Sequence, residues 1–600
     1  MMDTARKLFA LLDRREKRNL ILLLGAVVVM ACLEVVSVAA ILPFLSVAAD
    51  PASIQENAYL LWAYEAFGFD SVNQYLVFLG LAAFLALVVS NAFISFTTWL
   101  KYRYVFGRQH SLSKRLLARY LHQPYEFFLR RNSADLTKNV LSEVQEVTRE
   151  LMLPAIMGLA KGLVALFIIG FLVVMDPLLA LTVTVTLGGA YGLIYVLVRK
   201  RLTRTGRERV QANQDRYTAA SEAFGGIKNI KLMGKEDAFL KQYEKPSKDY
   251  ARKYAAMKAI AYIPRYALEA VAFGGIILIA VYLIGMQGNF AQIIPVLGLY
   301  TFAGYRLMPA LQQAFKAVAQ SKFNSNALDV LYGDLVASED EALVPSRNGH
   351  AKPVRLTDCL GLRNVTFTYA GADHPALKDI TLEIKANTTV GIVGTTGSGK
   401  TTLVDVILAL LRPQGGELLV DGAPVDKNNL RAWQNDLGYV PQDIVLGDTT
   451  VARNIALGVA QEEIDMEAVK EAARAAHIHD FIARELPHGY RTVVGERGLR
   501  LSGGQRQRIG IARALYHQPS ILVFDEATSA LDQATEGEVM EGIYGLEGMR
   551  TIILIAHRLS TVEKCDTIYV LDRGRVTKCG KYPELLRDVA GQNKAILEGA

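Results

Sequence analysis

Six apolar stretches, all within the first 320 residues, constrain this 600-residue chain more than any other feature. A helix needs roughly 20 apolar residues to cross a bilayer, and a helix can span because its backbone polar groups are satisfied internally. The stretches at about 20–49, 72–100, 152–175, 177–198, 259–286 and 290–318 meet that length. Residues 101–151 carry ten Lys or Arg and residues 199–258 carry sixteen, whereas 50–71 and 287–289 carry none. The positive-inside rule therefore puts both long loops and both termini on the cytoplasmic side. The net charge of +7 is explained by that placement, so no nucleic-acid partner is expected.

Residues 1–19 read as a basic amphipathic segment, with Arg6, Lys7, Arg14, Arg15, Lys17 and Arg18. The apolar run after it is too long for a signal-peptide core and reads as a retained membrane helix. The loops at 101–151 and 199–258 contain few helix breakers. They predict extensions of the membrane helices, reversing near Asn132–Asp135 and Gly225–Gly226 and expected to dock on the C-terminal domain. The outer segment 51–70 holds Tyr59, Leu60, Leu61, Trp62, Tyr64 and Phe67. It fits either an amphipathic helix in the outer membrane interface or a packed cap over the helix ends. Cys32, Cys359, Cys565 and Cys579 form no CxxC pair and no metal-ligand spacing, so neither a disulfide framework nor a zinc site is expected.

The transmembrane domain is thus expected at 20–320, a linker at 321–354 and an α/β domain at 355–600. Its strongest motif is Gly394, Thr395, Thr396, Gly397, Ser398, Gly399, Lys400, Thr401 and Thr402, which matches GxxxxGK[ST] between a strand-like run and a helix-like run. In such a loop the backbone N–H groups wrap phosphates, helped by the positive end of the helix. Lys400 is expected to reach the β- and γ-phosphates of ATP, and Thr401 to ligate Mg²⁺. The run Ile521–Phe524 reads as a buried strand that ends in two acids. Asp525 is placed to hold Mg²⁺ and Glu526 to polarise the attacking water.

Leu501, Ser502, Gly503, Gly504 and Gln505 open a further helix, and here the chain closely resembles the ABC ATPase family over about residues 355–590. In family order, Tyr369 matches the aromatic that stacks on adenine and Gln442 matches the Q-loop glutamine, a further Mg²⁺ ligand. Ser529–Asp532 match the D-loop and His557 the switch histidine. The resemblance implies a head-to-tail dimer in which each Ser502 helix completes the nucleotide site on the other subunit. With both catalytic elements present, a homodimer would have two competent sites.

The order of membrane helices before ATPase resembles the type IV ABC exporters, and Gln123–Phe128 with Asn132–Val140 looks like their first coupling region. Ile41–Asp50, Ile227–Asp237 and Tyr305–Pro309 look similar to PglK-type flippases of lipid-linked oligosaccharides. That resemblance implies a membrane substrate with polyprenyl tail, pyrophosphate and glycan, flipped from the inner to the outer leaflet of a bacterial inner membrane. Arg265 and Arg306 lie roughly 24–32 Å from the outer helix ends at 1.5 Å per residue, where a pyrophosphate would first meet the protein. Glu269, one turn from Arg265, offers the simpler alternative of a pair on one helix face. Glu34 and Lys161 receive no role. Rival readings are an exporter of drugs or other lipids, and an ATP-gated channel. Six membrane segments argue against a DNA-repair ATPase.

Overall fold

The computed structural model describes residues 2–585 apart from 176, 288–289, 338–352, 527–536, 538–540, 542–543, 546–547 and 557–558. The chain divides into two units, residues 1–121 with 130–342 and residues 122–129 with 343–600.

In the first unit a short helix α1 (Met2–Ala10) leads into α2 (Arg14–Ala39), whose first turn is closed by the Glu16 carboxylate accepting the Asp13 N–H at 3.0 Å. The first apolar stretch is not one helix, as its length had suggested. It breaks at Ala40 and resumes as α3 (Ile41–Ala49). Pro43 is the physical cause, since its ring removes a donor and crowds the carbonyl four residues back. Two small helices, α4 (Ser53–Glu56) and α5 (Ala58–Ala66), precede α6 (Val72–Leu121), a single helix of 50 residues. Two short helices follow, α7 (Tyr125–Leu129) in the second unit and α8 (Ser133–Lys138) back in the first. Asn132 caps α8 by accepting the Ala134 N–H at 2.9 Å. Two π-helical stretches, Asn139–Glu143 and Glu146–Met152, then feed α9 (Leu153–Met175).

The second long excursion has the predicted form. Helix α10 (Pro177–Gly225) reverses at Gly226, α11 (Ile227–Met233) is one short segment, and α12 (Glu236–Gln287) returns. Helix α13 (Phe290–Tyr332) runs past residue 320, where the linker had been expected to begin. Among the described residues, three stretches are long and apolar enough to cross a membrane: Arg14–Ala49, Val72–Leu121 and Ser133–Val174. The other three expected spans fall in α10, α12 and α13, where many side chains lie outside the described residues. Val77, Leu81, Phe84, Leu85, Val88, Phe96 and Trp99 stand exposed along α6, a pattern suited to lipid as the solvent.

The outer segment combines both expected forms. Leu60, Leu61, Tyr64 and Phe69 pack on buried Val47, Ile54 and Tyr75, and the Tyr75 hydroxyl donates to the Leu60 carbonyl at 3.1 Å. Tyr59 and Trp62 remain 84% and 67% exposed, a rim of aromatics on the outer side of a packed cap.

Close helix contact in this unit depends on small residues: a Cβ at Gly206 would collide with the Phe323 backbone. Next to it Arg209 is fully buried, donating to Glu143 and to Asn324 at 3.3 Å each, while Asn213 donates to the other Glu143 oxygen at 3.1 Å. Removing one charge of such a pair strands the other. Glu143→Leu is expected to destabilise the unit by about 3–5 kcal/mol. Glu143→Leu with Arg209→Met should recover most of that loss, as read by apparent melting temperature in detergent. Equal melting of the single and double variants would show the pair to be energetically idle.

The second unit is layered around two sheets. One is antiparallel, in the order β2 (Leu377–Lys385), β1 (Cys359–Phe367), β4 (Gly415–Val420) and β5 (Ala423–Pro424). The other runs β10-β9-β3-β8-β7-β6, with β3 (Thr389–Gly394), β6 (Leu437–Val440), β7 (Ile521–Asp525), β8 (Thr551–Ala556) and β9 (Thr567–Asp572) parallel and β10 (Arg575–Gly580) antiparallel at its edge. Strand periodicity sends alternate residues into different cores. Val390, Ile392, Val523 and Ile553 enter one, and Val393, Leu522, Phe524 and Leu554 enter the other. Both faces are covered, which is why these strands read as unbroken apolar runs.

Candidate active site

In open parallel sheets, ligands bind beyond the carboxyl ends of the strands, and the sequence motifs fall there. Strand β3 ends at Gly394, and α14 (Lys400–Ile407) starts six residues later. Gly399 caps this helix with φ +103°, and a Cβ there would approach the Ala376 carbonyl to 2.8 Å, so both conformation and space require glycine. The buried Lys400 ammonium turns into the loop and donates to the Gly394 and Thr395 carbonyls at 2.7 and 3.1 Å. Burial pulls its pKa down, and the charges of Glu526 and Asp525 oppose that shift. Thr395, Thr396, Gly397 and Thr401 are exposed, whereas Ser398 and Thr402 are buried. The Tyr369 ring packs edge-on against Phe367, and its hydroxyl bonds Thr402 Oγ1 at 3.1 Å.

The two acids close the same site. Asp525 is the last residue of β7 and 7% exposed, while Glu526 takes a left-handed φ of +50° directly after it. That conformation is uncommon for a residue with a Cβ. Gln442 donates its amide to Glu526 Oε2 at 2.7 Å. The structure thus brings together Lys400, Gln442 and the adjacent acids Asp525 and Glu526, drawn from three places in a stretch from residue 400 to residue 526. His557 and the D-loop residues Ser529–Asp532 lie outside the described residues, His557 directly after the last residue of β8.

Two further residues escaped sequence reasoning. The Tyr439 hydroxyl donates to Asp525 Oδ2 at 3.4 Å, and the buried Asp405 stands near enough to Asp525 to feel its charge. Asp405 was visible in principle, one helical turn beyond Thr401. Burial first, and then the Asp525 charge, raises its pKa from 3.8 to about 6. A carboxyl whose pKa rises on folding stabilises the fold while protonated, and that contribution is lost as pH climbs from about 4 through 6. Asp405→Asn should therefore raise the apparent melting temperature of the ATPase transition at pH 7.5 by about 2–4 °C. The gain should shrink as pH falls toward 4. A gain independent of pH would show that this carboxyl does not titrate in that window.

The Ser502 motif serves another helix end. Ser502 caps α15 (Gly503–Leu515): its hydroxyl accepts the Gln505 N–H at 3.2 Å, and the Gln505 side chain accepts the Ser502 N–H at 2.8 Å. Gly503 and Gly504 supply first-turn N–H groups that have no acceptor within the helix. Among the described residues no hydrogen bond or ion pair joins Ser502–Gln505 to the Lys400 loop. In the membrane unit, Arg265 Nε lies 3.4 Å from Glu269 Oε2, both side chains about two-fifths exposed. The Arg306 side chain lies outside the described residues.

Comparison with known proteins follows the same division. Residues 19–328 match the model of the ABC transporter transmembrane region, and residues 377–529 match the ABC transporter model. The chain is 35% identical over 472 residues to the ATP-dependent lipid A-core flippase of Cupriavidus metallidurans, covering 78% of each chain. It is 32% identical to the protein of that name from Paraburkholderia xenovorans, covering 79% of this chain and 78% of the other. In structure it is similar to a bacterial Atm1-family ABC exporter with ATP bound, with a TM-score of 0.77, 26% identity and 96% and 97% of the two chains covered.

Proposed function

Since this chain belongs to the ABC transporter family, with membrane region and ATPase on one polypeptide, we propose that it flips a polyprenyl-pyrophosphate-linked oligosaccharide from the inner to the outer leaflet. The coarser statement is secure: the protein is an ABC exporter of the lipid-flippase kind that couples ATP hydrolysis to transport. The observation that carries the lipid reading is the similarity to lipid A-core flippases over 78% of the chain. The narrower choice of a polyprenyl carrier rests on Ile41–Asp50, Ile227–Asp237 and Tyr305–Pro309. A lipid A-core-like glycolipid is the second reading, favoured by the names of those relatives.

On this reading the cytoplasmic ATPase of a bacterial inner-membrane homodimer works through the residues gathered above. Lys400 and the loop N–H groups hold the phosphates, and Tyr369 stacks on the adenine. Thr401, Gln442 and Asp525 fit a Mg²⁺ ion, being hydroxyl, amide and carboxylate oxygens around one loop. Bound there, the ion would neutralise charge on the β- and γ-phosphates. Glu526 orients the attacking water, with His557 as the switch residue, and Ser502 with Gly503, Gly504 and Gln505 covers the partner subunit's nucleotide. Arg265 and Arg306 are the proposed contacts to the pyrophosphate. For Arg265 the role requires exchanging Glu269 for phosphate oxygens, which guanidinium geometry favours.

The test is ATP-dependent loss of a labelled lipid from the accessible leaflet of proteoliposomes, run with polyprenyl-pyrophosphate glycan and with lipid A-core. Faster flipping of the first is expected, with Arg265→Gln slowing it about tenfold. Flipping of lipid A-core alone would select the second reading. Active hydrolysis without flipping of either would end both.

A further inference from the structure

Three charged side chains of the membrane helices have no part in that scheme. Glu34 on α2 is 1% exposed, and the Lys161 ammonium on α9 bonds both of its oxygens at 3.0 and 3.1 Å. Lys101 on α6 is 4% exposed and near enough to both to feel their charges. Among the described residues it makes no hydrogen bond and no ion pair. One and three turns along the same face of α6, Thr97 and Ser90 are buried with hydroxyls that also lack partners.

Among the described residues, two ammonium groups stand against one carboxylate, which leaves a positive charge in excess in a buried setting. Unpaired buried charge is costly, and inside membrane helices it generally marks a ligand or ion path. The cluster is not sealed, since the Lys161 side chain is 26% exposed. Lys161 lies eight residues beyond the start of α9, roughly 12 Å along the axis from the end assigned to the cytoplasm. A negatively charged headgroup taken from the inner leaflet would reach this level early.

We propose that Lys101, Lys161 and Thr97 form an oxyanion site, tuned by Glu34, that takes the phosphate of a lipid headgroup. The carrier being a lipid rests on the flippase reading above. The roles divide by charge. Lys101 is the cation that has no partner among the described residues, and Thr97 is a hydroxyl donor one turn from it on α6. Glu34 positions Lys161 and, by its own charge, weakens anion binding. Removing Glu34 should therefore strengthen binding and removing Lys101 should weaken it, a pair of opposite effects that misfolding does not produce.

The experiment uses the full chain in nanodiscs of phosphatidylcholine, titrated with phosphatidic acid and read by native mass spectrometry of bound lipid. Lys101→Met is expected to raise the dissociation constant about tenfold or more, the worth of a charge-assisted hydrogen bond. Glu34→Gln is expected to lower it severalfold. Competition by inorganic phosphate only at tens of millimolar would support a lipid-borne anion, whereas competition at micromolar levels would overturn the lipid assignment. Unchanged affinity in Lys101→Met, or weaker binding in Glu34→Gln, removes the site. With those results and normal flipping in the wild type, the flippase reading would stand alone. Opposite shifts in the two variants with no flipping of any lipid would leave the anion site and remove the flippase.

Discussion

Glu526→Gln is expected to hydrolyse ATP about 10²–10⁴-fold more slowly than the wild type, the usual cost of losing a positioned base, and to accumulate as a nucleotide-bound dimer. The argument is geometric. Glu526 follows β7 with φ +50°, and its Oε2 accepts the Gln442 amide at 2.7 Å. In the proposed role the same carboxylate takes up a proton of the attacking water. An amide fills the same space but is a far weaker acceptor. Because the proposed ATP contacts Lys400, Tyr369 and Ser502 are untouched, ATP should still bind, and anything that binds only the closed dimer stabilises it. Phosphate release measures the rate, and light scattering on the eluted complex measures the dimer. Hydrolysis within a factor of three of the wild type would remove Glu526 from its role.

The second large effect concerns which subunit supplies Ser502. In mixed dimers, Lys400→Ala on one chain with Ser502→Arg on the other should retain about half the wild-type ATPase rate. Both lesions then fall in one composite site and leave the other whole. Placing both substitutions on one chain opposite a wild-type chain puts one lesion in each site, and activity should drop by about 10². Differentially tagged chains purified by both tags give the two mixtures. The reverse ranking would mean that each chain completes its own site. Ser502 and Gln505 cap their own helix, and among the described residues they make no bond to the Lys400 loop.

The motor was legible because its chemistry depends on local backbone geometry. Gly399 must take φ +103°, a strand must precede it and a helix must follow, so residue type and spacing carry the structure within one short segment. The membrane helices were legible for a different reason, since lipid demands length and apolarity and little else. Both signals are one-dimensional, and both were read from composition and spacing. The break at Ala40 was written in Pro43, but a count of apolar residues passes over a single proline.

What depended on tertiary structure was every relation between distant residues. Gln442 meets Glu526 because β6 and β7 are neighbours in the sheet, and Tyr439 reaches Asp525 for the same reason. Lys161 and Glu34, 127 residues apart, were isolated charges in sequence and became one ion pair, with Lys101 beside it. Local periodicity says which residues share a face of one helix or strand. Which faces meet is decided by the packing of many side chains at once, and only the folded chain records it.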